Sequence, residues 1–159
     1  MNAVTQEVIA LLQKRNETIT CAESISGGAL TAELVSVPGA SHVLNGAIIA
    51  YSNQIKINEL WVPAALIAEF GVVSEEVALA MAKGAQAKFS ASWAVSLTGV
   101  AGPGPSHGVE AGTVWLAIVG PGCQEAVKLS ISGDRESVRR GAVESAVGVL
   151  ARILRAQQQ

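Results

Sequence analysis

The chain has 159 residues with a mass of 16.3 kDa, 50% of them hydrophobic and 15% charged, and its 11 Lys+Arg against 13 Asp+Glu give a formal charge of −2. A single domain of this length buries a core without a disulfide or metal staple, and so apolar a chain is not a disordered one. The absent basic excess and an aromatic content of 4% argue against a nucleic-acid partner, and the 2 cysteines, Cys21 and Cys123, stand at no metal-ligand or disulfide spacing.

In chain order, Val4, Val8, Ile9, Leu11 and Leu12 recur at helical spacing and predict a helix over residues 3–14. The short β-branched run 18–22 reads as a strand, followed at once by Glu23-Ser24-Ile25-Ser26-Gly27-Gly28 and a helix over 29–35. The apolar run 42–51 predicts a buried strand that ends where Ser52-Asn53 breaks it. Pro63 starts a short helix to Phe70, and Ser74 caps another in which Val77, Ala80, Met81, Gly84, Ala85 and Ala87 form a small-residue face for a sheet. Residues 92–97 read as a strand and 98–109 as a long Gly/Pro loop. Strands over 112–119 and 125–131 form a hairpin through Gly120-Pro121-Gly122, and Asp134 caps a last helix running to about Arg155. Early alternation of strands and helices with a late hairpin predicts one α/β domain over residues 1–159, a three-layer α/β/α sandwich on a mixed sheet.

The N-terminus has no basic stretch leading into an apolar run. The uncharged stretches 34–55 and 89–109 are too broken by Pro, Gly, Ser and Asn to span a bilayer. The expectation is a soluble, cytoplasmic domain without a membrane partner. So thinly charged a surface on so apolar a chain also predicts a homo-oligomer.

Four segments can carry chemistry. A serine between a strand and a helix, Ser24 or Ser26, is placed as a nucleophile with backbone N–H groups beside it, or as a plain helix cap. Lys56, just past an apolar strand, is either a snorkelling surface lysine or one desolvated enough to act as a base. The Thr98–Pro105 loop offers small residues for an anion to approach, or is only flexible. Arg135, with Arg139 and Arg140 a turn later, stands at a helix start, where the macrodipole disfavours a cation; a phosphate partner rationalises it, and a solvated charged face is the alternative. His42 and His107 have no Cys, Asp or Glu at ligand spacing, so no metal site and no Ser-His-Asp triad is read.

Taken together, AESISGG (22–28), YSNQIK (51–56), GVVSEEVALAMAKGA (71–85), SLTGVAGP (96–103), GTVWLA (112–117) and GDRESVRR (133–140) resemble the C-terminal domain family of the competence/damage-inducible protein CinA. That family includes the nicotinamide-nucleotide amidase, which deamidates nicotinamide mononucleotide. Its larger members carry a further N-terminal domain, which a chain of 159 residues is expected to lack. The resemblance implies a three-layer α/β/α fold and a serine amidohydrolase that needs no metal or organic cofactor, with a lysine as base. It makes Ser24 the nucleophile, Lys56 its base and Tyr51 an assisting group. Substrate contacts fall to Ser26, Gly27, Gly28, Asn53, Thr98, Gly99 and Gly102, with Arg135 on the phosphate. The chain departs from the family pattern at Ile25-Ser26, where Cys-Thr is usual. It departs again at Val109-Glu110-Ala111, where Lys-Pro-Val is usual and Glu110 would bring a negative charge near the phosphate, and at Trp61, where Gly is usual. A non-catalytic relative that binds a nucleotide or protein partner through the same pocket is the second reading.

Overall fold

Five strands and six α-helices account for the residues, 2–158, that the computed structural model describes. In order they are α1 Ala3–Arg15, β1 Ile19–Glu23, α2 Ala29–Val35, β2 Leu44–Ile49, α3 Asn53–Leu60, α4 Ala64–Phe70, α5 Glu75–Phe89, β3 Trp93–Gly99, β4 Thr113–Gly120, β5 Cys123–Ser130 and α6 Arg135–Ala156. They form one mixed sheet in the order β2-β1-β3-β4-β5. β1 is parallel to both β2 and β3, and the β4–β5 hairpin is antiparallel. The sandwich architecture read from the sequence is the one observed.

Two apolar cores, one on each face, fix the layers. On one face α1, α2 and α6 bury Val8, Leu12, Leu30, Ala142 and Leu150 against Ile19, Cys21, Trp93, Val95 and Leu116. On the other, α5 lays Val77, Ala78, Met81, Ala82 and Ala85 on Ala22, Ala94 and Ala117. Ala80 packs against that core from its margin, whereas Ala87, also expected there, is exposed, and Ala78 and Ala82 join the buried face. Gly84 packs instead against the end of α3, where a Cβ would overlap the Leu60 carbonyl. Among the described residues no helix is long and apolar enough to cross a membrane.

Strand β2 corrects an expectation. It was read as buried, but it is an edge strand with most residues half-exposed, since an apolar run alone does not say how many neighbours a strand has. The chain then does not simply break at Ser52. The Ser52 hydroxyl accepts from the Ile55 N–H and caps α3, and Lys56 rides on that helix. The reversal of the chain's course at β1 sends β2 to one side and β3 to the other. It opens a crevice at the carboxyl ends of the parallel strands, where ligands of open α/β sheets bind.

Candidate active site

The crevice is a cleft of about 410 Å³ lined by residues from the end of β1, the start and end of α3–α4, the β3–β4 loop and the first residue of α6. Ser24 is the first residue past β1, and its N–H donates to the Leu97 carbonyl at 3.0 Å, so the strand registers of β1 and β3 fix its backbone. The turn that follows needs two left-handed residues, Gly27 at φ +59 and Gly28 at φ +103. A side chain is strained at such angles, which is why the Gly-Gly pair stands there. The buried Glu23 carboxylate holds the far side of the turn. It accepts from the N–H groups of Gly28, Leu30 and Thr31 and from the Thr31 hydroxyl.

Lys56 reaches the serine from the opposite wall. Its Nζ lies 3.0 Å from Ser24 Oγ and donates to the Ala50 carbonyl at 2.8 Å. The residue is only 1% exposed. Burial strips the ammonium of water, and no carboxylate contacts it to compensate, so its pKa falls from 10.5 to about 8. Near neutrality an appreciable fraction is therefore the free amine. An amine keeping one N–H on Ala50 O can turn its lone pair to the Ser24 hydroxyl. Cys21, on β1 three residues before Ser24, is no competing nucleophile: it is fully buried, and burial pushes its thiol up.

The remaining expected residues divide. Tyr51, Asn53, Thr98, Gly99, Gly102 and Arg135 line the same cleft as Ser24 and Lys56. Arg135 donates to the Gly102 carbonyl at 2.8 Å and to Tyr51 Oη at 3.2 Å, bridging the two lips of the mouth. Thr98 is buried and its hydroxyl donates to the Val72 carbonyl at 2.9 Å, so it braces the wall. Ser26, Gly27 and Gly28 shape the turn but do not line the cleft; the Ser26 hydroxyl is buried without a partner. Of the departures, Ile25 forms part of the wall, whereas Glu110 is exposed and lines no part of the cleft, so its charge stays out of the pocket. Trp61 closes α3 at φ 55, a left-handed position that suits glycine, with Lys88 Nζ 5.4 Å from its ring centroid.

The arginines expected to gather around an anion do not converge. Arg140 pairs outward with Glu136 at 3.1 Å. Arg139 turns to the serine turn, donating from Nε to the Ile25 carbonyl at 3.1 Å and from Nη2 to the Ser26 carbonyl at 3.0 Å. Glu23 and Arg139 are the site residues the sequence reading missed. Glu23 was legible in principle as an acid just before a helix start. Arg139 was visible only as one of a basic cluster, with its carbonyl partners more than a hundred positions away.

Residues 1–154 match the family model of the CinA C-terminal domain. A CinA-like protein of Anaeromyxobacter dehalogenans is 46% identical over 93% of the chain and 36% of its own length. The chain thus spans about a third of the length of the curated relatives it matches. A CinA superfamily protein from Klebsiella pneumoniae 700603 is 32% identical with a TM-score of 0.93, covering 96% of both chains. The competence damage-inducible protein A from another strain of that species is 33% identical with a TM-score of 0.91, over 94% of this chain and 93% of that one. The chain belongs to the CinA C-terminal domain family.

Proposed function

We propose that this CinA C-terminal domain is a serine–lysine amidohydrolase that deamidates nicotinamide mononucleotide to nicotinic acid mononucleotide. The observation that carries the reading is the buried Lys56 Nζ at 3.0 Å from Ser24 Oγ, within a cleft at the strand ends. A serine hydroxyl is a poor nucleophile at neutral pH without a base, and this lysine has both the reach and the lowered proton affinity.

The chemistry balances with these two groups and water. Lys56 takes the Ser24 proton as Oγ forms a bond to the carboxamide carbon, and the carbonyl electron pair moves onto oxygen. The intermediate collapses as the C–N bond breaks and Lys56 returns the proton to the leaving nitrogen, giving ammonia and an ester on Ser24. Water then loses a proton to Lys56 while its oxygen bonds to the ester carbon. Release of the carboxylic acid restores the Ser24 hydroxyl with that proton. Tyr51 and Arg135 form the outer lip, where Arg135 and the positive end of α6 suit a phosphate.

The test is ammonia release from nicotinamide mononucleotide by the purified chain, with nicotinic acid mononucleotide identified chromatographically. Ser24→Ala and Lys56→Ala should each lower the rate by about 10³-fold or more, as members of one unit do. Arg135→Ala should raise KM for the mononucleotide about tenfold or more, the worth of a charge-assisted hydrogen bond, and leave the riboside unaffected. Deamidation that survives Ser24→Ala would overturn the assignment.

A further inference from the structure

Two amides beside Ser24 are left without acceptors. Among the described residues neither the Ile25 nor the Ser26 N–H donates to a backbone or side-chain group, although both residues are buried. Buried backbone donors are nearly always paired, and of these two residues Ile25 lies on the cleft wall, where a ligand can reach it. Their directions are fixed by one side chain. Arg139 of α6 donates to the Ile25 carbonyl. That carbonyl shares a trans peptide with the Ser26 N–H, which therefore points away from the guanidinium. The second bond of the guanidinium goes to the Ser26 carbonyl, which shares its peptide with the Gly27 N–H. That N–H donates to the Ser24 carbonyl at 3.2 Å, and the Ser24 carbonyl shares its peptide with the Ile25 N–H. Gly27 serves the arrangement by its φ of +59, since a Cβ there would lie at ordinary contact distance, 3.5 Å, from Arg139 Nη2.

We propose that Arg139 is a positioning residue that fixes this turn so that the Ile25 amide, on the cleft wall, is the oxyanion donor for the tetrahedral intermediate on Ser24. This rests on the reading of Ser24 as nucleophile. When Oγ bonds to the carboxamide carbon, the displaced electron pair lands on the carbonyl oxygen, and preorganised donors act on that charge. Arg139 touches neither substrate nor Lys56; it acts through the two peptide planes. A lysine in its place carries its donors on one nitrogen, without the planar fork, and does not hold both carbonyls in the same geometry.

The experiment compares Arg139→Lys and Arg139→Ala with the unchanged protein and with Arg140→Ala, a control on the exposed face. Two rates are measured: deamidation of nicotinamide mononucleotide, and labelling of Ser24 by a fluorophosphonate, whose phosphoryl oxygen occupies an oxyanion cradle without any need for the natural substrate. Expected is a fall in kcat of about 10²-fold for Arg139→Ala, with KM within about twofold, the pH midpoint unmoved and Arg139→Lys intermediate. Labelling should slow in parallel, and Arg140→Ala should change nothing. Thermal melts identify any variant that has lost its fold, and the Lys variant then carries the comparison. Unchanged kcat and labelling in a folded Arg139 variant, or a loss expressed in KM, overturns the inference while leaving the amidase reading in place. Labelling that depends on Arg139 without deamidation of the mononucleotide removes the substrate assignment and keeps the inference. A wild-type chain that does neither removes both.

Discussion

Lys56 is the residue at which stability and function oppose one another. Its ammonium is buried with two hydrogen bonds and no counter-ion, so the folded state binds that proton less tightly than the unfolded chain. The sign follows from linkage. Well below pH 8 both states hold the proton and the full cost of burying it is present. Between about 8 and 10.5 the unfolded chain holds more protons than the folded one, so stability rises with pH across that window. The total is roughly 3 kcal/mol. Melting temperatures of the wild-type protein should therefore gain on those of Lys56→Met from pH 8 to 10.5, and parallel curves would sink the argument. The same proton governs turnover. The deamidation rate should climb through a midpoint near pH 8 as the free amine forms, and a rate flat across that range would show that Lys56 is not the base. Ser24 and Lys56 were legible as a pair only through the resemblance of AESISGG and YSNQIK to a family, since the residues alone left each a plain alternative, a helix cap and a snorkelling surface lysine. Glu23 and Arg139 were not, because their roles lie in partners that only the folded turn creates.

The helices show how an element can be right in place and wrong in use. The small-residue face of α5 was expected to lie wholly on the sheet. Its Gly84 instead admits the C-terminal carbonyl of α3, the helix that delivers Lys56. Helical periodicity tells which residues share a face but not what meets it, and a second helix in the same layer was hidden because Ser52-Asn53 reads as a breaker until it is seen as a cap. Gly84→Ala separates the two effects. Propensity favours alanine by about 1 kcal/mol, whereas overpacking against backbone costs about 1–3 kcal/mol. We expect the clash to win, since the atom met is a carbonyl oxygen that cannot rotate away. The variant should melt several degrees lower, at about 2–4 °C per kcal/mol, and lose activity as α3 shifts Lys56. An unchanged melting temperature and rate would mean that α3 yields freely.

At the scale of the molecule, alternation of elements was enough to read three layers, because each face of a sheet must be covered and the order of helices and strands allows few ways to do it. What alternation does not contain is which strands lie at the edge. The edge position of β2 bears on assembly. Ile49 on that strand is 52% exposed and Val35 at the end of α2 is 59% exposed, on an unpaired edge whose N–H and C=O groups are free to accept another strand. Trp61, 57% exposed, adds apolar area elsewhere. With only 15% charged residues the chain has little with which to shield such surface. We therefore propose a homo-oligomer joined along the β2 edge. Light scattering at micromolar concentration should give a mass that is a multiple of 16.3 kDa. Ile49→Lys puts a charge at the end of that edge, as edge strands use lysine to refuse partners, and should shift the mass toward the single chain. Trp61→Lys should leave it unchanged. A wild-type mass of 16.3 kDa would rule out the assembly, and dissociation by Trp61→Lys alone would move the interface from the strand edge to the end of α3.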